Sequence, residues 1–234
     1  MHKVSNPIQA CNDIFFRPNG VFHALAEKNN WSWLPFFIVI IVTILPQYVY
    51  FNFVDFNWYT ELLVDAQFAD RTPAEQEQFR NQLSPTAALS FASVAVFFGY
   101  IAINAIVALY LNLATRSDEE NLHGFTDWYG MTWWIGMPVV VSSLVALILI
   151  LIAGDHQIPP TVLAPLSIAY VFSIDMGSPW FAFAQSLKVD AIWSIYLMSV
   201  GISQWTSFST KKSTIIAVAP YAIIWAVWFI ILLF

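Results

Sequence analysis

Residues 128–153 read WYGMTWWIGMPVVVSSLVALILILIA, with no Asp, Glu, Lys, Arg or His anywhere in the run. A helix rises about 1.5 Å per residue and the hydrocarbon core of a bilayer is about 30 Å thick, so roughly 20 apolar residues cross it with every backbone bond closed internally. The aromatic opening Trp128-Tyr129-Gly130-Met131-Thr132-Trp133-Trp134 carries the side chains favoured at headgroup depth. The run therefore predicts a membrane span. Four further stretches meet the same test: 34–50, bracketed by Trp31 and Trp33 before it and by Tyr48 and Tyr50 at its end, then 87–113, 191–208 and 215–234. The expected fold is all-α, a polytopic membrane helix bundle of about five spans.

The composition leads to the same class. Of 234 residues, 59% are apolar and 10% charged, and the mean hydropathy is +0.64. A soluble domain of this size would need a far more charged surface. A net charge of −6 argues against nucleic acid as a partner, because phosphate binding needs clustered Lys and Arg. Cys11 is the single cysteine, and no Cys or His spacing matches a zinc site, so neither metal nor other cofactor is expected. The first thirty residues have no continuous apolar stretch before a small-residue cleavage site, which predicts no cleaved signal peptide and insertion through the first span.

The segment 157–184 is interrupted by Pro159, Pro160, Asp175, Gly177 and Pro179. It is expected to be re-entrant or interfacial, with a sixth span carrying Asp175 at mid-membrane as the alternative. Charge arbitrates, because Lys and Arg are retained on the cytoplasmic side. Five spans with the amino terminus inside place Lys3, Arg17, Lys28, Arg116, Lys211 and Lys212 in inner segments and Arg71, Arg80 and Lys188 outside. Six spans would flatten that bias, so five are preferred.

Between the spans, residues 1–30 hold apolar Ile8, Ile14, Phe15, Val21, Phe22, Ala24 and Leu25 divided at Pro18-Asn19-Gly20. This predicts two short amphipathic helices at the inner leaflet, ahead of a single transmembrane domain over 31–234. In the acidic outer loop, Thr72, Pro73 and Glu75 form a capping-box pattern that predicts a surface helix. The inner loop ATRSDEENLHGFTDW gathers Asp118, Glu119, Glu120, His123 and Asp127. Those groups suit a divalent cation in type, but their spacing matches no fixed ligand set, and a solvated loop is the plainer reading.

Ala88, Ala92, Ala95, Gly99 and Ala102 recur on one face of the second span, where small side chains let helices approach closely in lipid. Asn104 lies just beyond this seam; Gln47, Ser142, Ser143, Ser203 and Gln204 are candidates to hydrogen-bond at membrane depth. The five expected spans contain no ionisable acid, base or imidazole, which weighs against a proton relay or ion-coupled carrier. Asp175 is the exception if its segment dips inward. His2, His23 and His123 fall on the inner side and His156 on the outer, so no nucleophile, base and orienter converge, and no phosphate cradle or nucleophile elbow is present.

Three stretches resemble one known family. The opening NPIQACNDIFFRPNGVFHALAEKNNWSW is similar to an amphipathic lead-in before a first span. HGFTDWYGMTWWIGMP resembles a loop-to-span element, with Gly124, Tyr129, Gly130 and Pro138 at its turn and proline positions. DAIWSIYLMSVGISQWTSFSTKKSTIIAVAPY resembles a closing hairpin with Gly201, a basic turn at Lys211-Lys212, and Pro220. Together they resemble the Yip family, the Ypt/Rab-interacting multispanning membrane proteins, in its bacterial branch. The family's Asp-Leu-Tyr-Gly-Pro signature is only partly echoed by Asp127-Trp128-Tyr129-Gly130-Met131. The resemblance implies five spans, a cytoplasmic amino terminus and a periplasmic carboxyl terminus in a bacterial inner membrane.

The function expected is that of a non-enzymatic scaffold or adaptor that binds other membrane proteins or organises lipid. Its partners would be the lipid bilayer and other membrane proteins, or a second copy of itself. Two alternatives are a small channel or carrier with Asn104, Asp175 and Gln204 along a polar path, and a lipid-modifying enzyme using His156.

Overall fold

The computed structural model describes residues 4–28 and 30–234; His2 and Lys3, counted above on the inner side, lie outside the described residues. Prolines set many of the helix starts. A proline has no N–H to lose in the first turn and its fixed φ suits a helix entry. Helix α1 (Pro7–Phe16) begins this way behind Asn6, whose side chain accepts the Gln9 N–H at 2.8 Å. Helix α2 (Pro18–Glu27) follows after the single residue Arg17. The divide thus falls at Arg17, and Pro18 opens the second helix. Both helices are amphipathic as expected. Ala10, Ile14, Val21 and Phe22 are fully buried, while Ile8 and Phe16 are each 76% exposed.

Helix α3 (Trp33–Phe53) is the first long apolar helix and carries Pro46 inside it. Two loop helices come next. Helix α4 (Phe56–Gln67) is capped by Asp55, which accepts from the backbone N–H groups of Asn57 and Trp58 at 3.1 and 3.2 Å. Helix α5 (Pro73–Gln82) has the capping box that Thr72 and Glu75 predict. The sequence reading placed α5 and missed α4, whose start signal was the lone cap at Asp55.

Helix α6 (Pro85–Ala114) is the second long apolar helix. The third apolar stretch, Phe125–Leu151, is broken into α7 (Phe125–Ile135) and α8 (Pro138–Leu151). Pro138 removes an N–H and crowds the preceding turn, and the chain tightens to three-residue bonds there: Met137 N to Trp134 O at 3.2 Å and Val139 N to Gly136 O at 3.1 Å. A 3₁₀ turn (Pro160–Leu163), α9 (Ile168–Val171) and α10 (Phe181–Ser186) make up the following segment, where the longest helix has six residues, too short to cross a bilayer. Helix α11 (Val189–Trp205) has 17 residues and α12 (Thr210–Leu233) has 24.

Among the described residues, four helices have at least 18 residues and the apolarity to cross a membrane, counting α7 with α8 as one. Helix α11 falls one residue short of that length. The protein is a polytopic helical membrane protein.

The chain divides into two compact units. The first comprises Met1–Ile41, Phe98–Val141 and Asp190–Phe234; the second comprises Val42–Phe97 and Ser142–Val189. The core of the first holds Ile14, Phe22, Trp128, Met131, Trp134, Leu197 and Ile202, all at most 1% exposed. The core of the second is built on Tyr50, Phe51, Val54, Tyr59, Ala88, Ile150 and Val162.

Candidate functional site

In the first unit, the lead-in helices are clasped to α7 and α11. Gly201 of α11 makes the close approach, because a Cβ built there would stand 2.6 Å from Met131 Sδ and 3.4 Å from the Phe22 ring. One turn on, the buried Trp205 indole N–H donates to the Phe22 carbonyl at 2.8 Å. Phe22 lies in the middle of α2, so this bond ties Trp205 to the body of that helix. The Trp205 ring also stacks on His123 with centroids 4.0 Å apart and lies 5.1 Å from Trp128. At the other end of the lead-in, Phe15 meets Trp193 edge-on at 5.5 Å. Gln204 donates to Asn19 Oδ1 at 3.3 Å.

A charged latch closes the same region. Ser207 donates to Asp118 twice, through its backbone N–H at 2.7 Å and its hydroxyl at 2.6 Å. The Ser207 hydroxyl is the largest influence holding the Asp118 carboxyl below its usual range. Desolvation opposes it, and the backbone N–H groups of Ser207 and Glu120 and the charge of Lys212 add to it. His123 is pushed below its usual value by burial, against a smaller opposing pull from Asp127. Asp127 in turn accepts the Gly124 N–H at 2.9 Å at the start of α7.

The acidic loop is thereby divided among separate tasks: Asp118 holds Ser207, Asp127 caps α7, and His123 stacks on Trp205. Among the described residues, no three His, Cys, Asp or Glu side chains gather as they would to hold a metal ion.

The residues that carried the resemblance occupy geometric pressure points. A Cβ on Gly130 would meet Ser32 Oγ at 2.9 Å, and that same oxygen accepts the Trp134 indole N–H at 3.2 Å. Tyr129 stacks on Phe125 at 6.1 Å and faces the edge of Trp133 at 6.0 Å. Buried Pro138 breaks the third apolar stretch. Pro220 lies inside α12, where it cannot donate to the carbonyl four residues earlier, and Tyr110 of α6 supplies the missing bond to Ile216 O at 2.8 Å. The sequence reading did not pair these two, although a proline inside an apolar helix is itself the signal that a donor is needed.

A family model described as the Yip1 domain matches residues 12–232 of this chain. The chain belongs to the Yip1 family. The match runs from α1 almost to the end of α12, so the clasp, the latch and the closing hairpin all lie within the Yip1 domain. None of the curated proteins and none of the solved structures matches the chain.

The remaining candidates are placed as follows. Ala88 packs in the core of the second unit and Ala92 lies against it. Ala95 and Ala102 are exposed, and nothing stands within 4 Å of a Cβ added to Gly99. Asn104 is buried in the first unit. Asp175, in the second unit, is exposed and accepts the Gly177 N–H at 2.8 Å, so it does not share hydrogen-bond partners with Asn104 or Gln204. His156 Nδ1 sits 2.6 Å from the Phe53 carbonyl, and the His156 carbonyl accepts the Asp55 N–H at 2.8 Å. With the Tyr50 hydroxyl donating to Ile158 O at 2.7 Å, this fastens the segment after α8 to the end of α3.

Proposed function

We propose that this Yip1-family protein is a non-enzymatic adaptor of a bacterial inner membrane, with a cytoplasmic amino terminus and a periplasmic carboxyl terminus, that assembles with other membrane proteins or with itself. The observation that carries the reading is the state of α6. It is one of the most apolar helices of the chain, yet only 11% of its most apolar window is buried. Its small-residue face is used at Ala88 and Ala92, in the core of the second unit, while Ala95 and Ala102 are exposed and nothing stands within 4 Å of a Cβ added to Gly99. Burying apolar area gives little drive between helices in lipid, so a face that admits close backbone approach is the means by which such a helix finds a partner.

The clasped lead-in supports the same reading. It fixes α1 and α2 while Ile8, Phe16 and Leu122 remain 76%, 76% and 90% exposed, an apolar set suited to the headgroup boundary. Against an enzyme stands the engagement of the candidate groups: His156 in a backbone bond, His123 in a ring stack, Asp118 in a latch. Against a polar conduit stands the engagement of Gln204 with Asn19 and of Asp175 with the Gly177 N–H.

Site-directed crosslinking tests the reading. In a Cys11→Ser background, Gly99→Cys should give one discrete adduct in native membranes. Ile223→Cys on the exposed face of α12 should give none. Equal adducts from both sites, together with a monodisperse lone monomer in mild detergent, would refute it. A reporter fused at the carboxyl terminus checks the orientation: activity on the cytoplasmic side would overturn the five-span topology.

A further inference from the structure

The second unit contains a cleft of about 620 Å³ between α4 and the segment from Ile158 to Gly177. That volume is in the range of small-ligand sites. Its walls are mostly apolar, with Leu62, Ile158 and Met176 among them, and Asp65 and Asp175 are the only charged side chains that line it among the described residues. The cleft is held open by its own construction. A Cβ on Gly177 would stand 3.0 Å from Asp175 Oδ1, so glycine lets that carboxylate fold back on the 173–178 turn, while the Ala66 carbonyl of α4 lies at ordinary contact distance, 3.7 Å. Ile174 N donates to Ala169 O at 2.9 Å and Ser178 N to Asp175 O at 3.1 Å, fixing the turn that carries Asp175.

The electrostatics of the cleft are one-sided. Asp175 uses Oδ1 for the Gly177 N–H, and neither its Oδ2 nor either oxygen of Asp65 accepts a hydrogen bond from the described residues. Arg80 is near enough to feel Asp65, but its Nε and Nη2 bond Glu61 at 2.8 and 2.9 Å and its Nη1 lies 3.8 Å from Glu77. No Lys or Arg lines the cleft to answer the two carboxylates. Between the lining residues Tyr170 and Ser173, Val171 and Phe172 are 64% and 73% exposed.

We infer that this cleft binds an amphiphile bearing an ammonium group, the cation between Asp65 and Asp175 and the apolar body along Leu62, Ile158 and Met176. A bare metal ion would leave the apolar wall unused, and an anionic or neutral amphiphile would leave the carboxylates unanswered. The ammonium can come from an ethanolamine lipid headgroup or from a free alkylamine. The site would serve whether or not the protein is an adaptor.

The test uses the full chain in neutral maltoside detergent. Calorimetric titration with hexyltrimethylammonium should saturate one site, with hexanol binding at least about tenfold more weakly. Asp65→Asn with Asp175→Asn should weaken the ammonium about tenfold, as expected for two partly solvated charges. Both residues are exposed, so the fold is spared, and Glu77→Gln serves as the charge control with unchanged affinity. Native mass spectrometry separates the two sources. Retention of phosphatidylethanolamine over phosphatidylglycerol, lost in the double variant, identifies a lipid headgroup; ammonium binding without that retention identifies a free amine. Absence of saturable binding, equal affinity for hexanol, or an unchanged dissociation constant in the double variant would each overturn the inference.

Discussion

The third apolar stretch, Phe125–Leu151, and the last helix, α12, are equally apolar by composition, yet 44% of the most apolar window of the first is buried and only 6% of the second. Apolarity reports the solvent of a helix, and lipid is as good an apolar solvent as a protein core. What distinguishes the two is shape and polar handles. The third stretch brings Gly130, which admits Ser32, Trp134, whose indole N–H that serine accepts, and Met131, which fills the space Gly201 leaves. Helix α12 presents Ile223, Ile224, Ile230 and Ile231, each at least 54% exposed. Close approach and directed hydrogen bonds, the forces that still act between helices in lipid, therefore select the third stretch as core and leave α12 at the edge.

The most severe way to break this contrast is to empty each helix in turn. Trp134→Ala removes a fully buried ring and its bond to Ser32, and should cost about 3 kcal/mol, near the low end for a buried aromatic because lipid takes up part of the transfer term. Ile231→Ala, at a side chain 67% exposed, should stay within about 0.5 kcal/mol. Denaturation by sodium dodecyl sulfate in mixed micelles measures both. Equal losses would mean that α12 is core as well.

The next effect comes from closing a gap instead of opening one. Gly201→Val would drive a branched side chain into Met131 and Phe22, and overpacking of this kind costs about 1–3 kcal/mol. Because the obstructing atom closest to the site is Met131 Sδ, Met131→Ala should return a large part of that loss in the double variant. Failure of the rescue would show that the α2 side of the contact, at Phe22, sets the limit.

A smaller effect should come from the bond between Tyr110 of α6 and the Ile216 carbonyl of α12. Tyr110→Phe strands the Ile216 carbonyl and should cost about 1 kcal/mol. In a Pro220→Ala background the restored N–H at position 220 can donate to Ile216 within the helix, so the same Tyr110→Phe change should become nearly silent. An undiminished cost in that background would sever the link between Pro220 and Tyr110.

The parts of the fold that depend on short sequence windows were legible before any coordinates. The long apolar runs, the Thr72 capping box and the two-helix lead-in are each specified by residues within a few positions of one another. The clasp was not legible for the opposite reason. Trp205 meets Phe22, and Ser207 meets Asp118, across separations that no spacing rule addresses. Asp118, His123 and Asp127 therefore read as one loop cluster, and only the fold assigns them three destinations. Gly130 and Gly201 were singled out as family features without a reason; the reason is the neighbour each admits. Helix α4 was missed because its cap, Asp55, has no second signal comparable to the reciprocal Thr72–Glu75 pair.

The mildest test exploits two titrating groups of the clasp and latch, both lowered in the folded protein but in different pH ranges. Burial lowers the His123 value below its ordinary 6.5 in the folded protein. Below pH 6.5 the unfolded chain then binds more protons than the native one, so stability is complete above that pH and declines as the pH falls toward the folded value. Asp118 is also lowered, from an ordinary 3.8. The stability it lends is complete above 3.8 and is lost only as the pH falls through its still lower folded value. Melting of the detergent-solubilised protein should therefore weaken in two separate stages on acidification. His123→Phe keeps a ring for Trp205 to stack on and should flatten the upper stage while leaving the lower one. Asp118→Asn should do the reverse, at the expense of a weaker latch at every pH. A single stage abolished by either substitution would mean that ring stack and latch titrate as one unit, and the clasp would then have to be redrawn as a coupled pair.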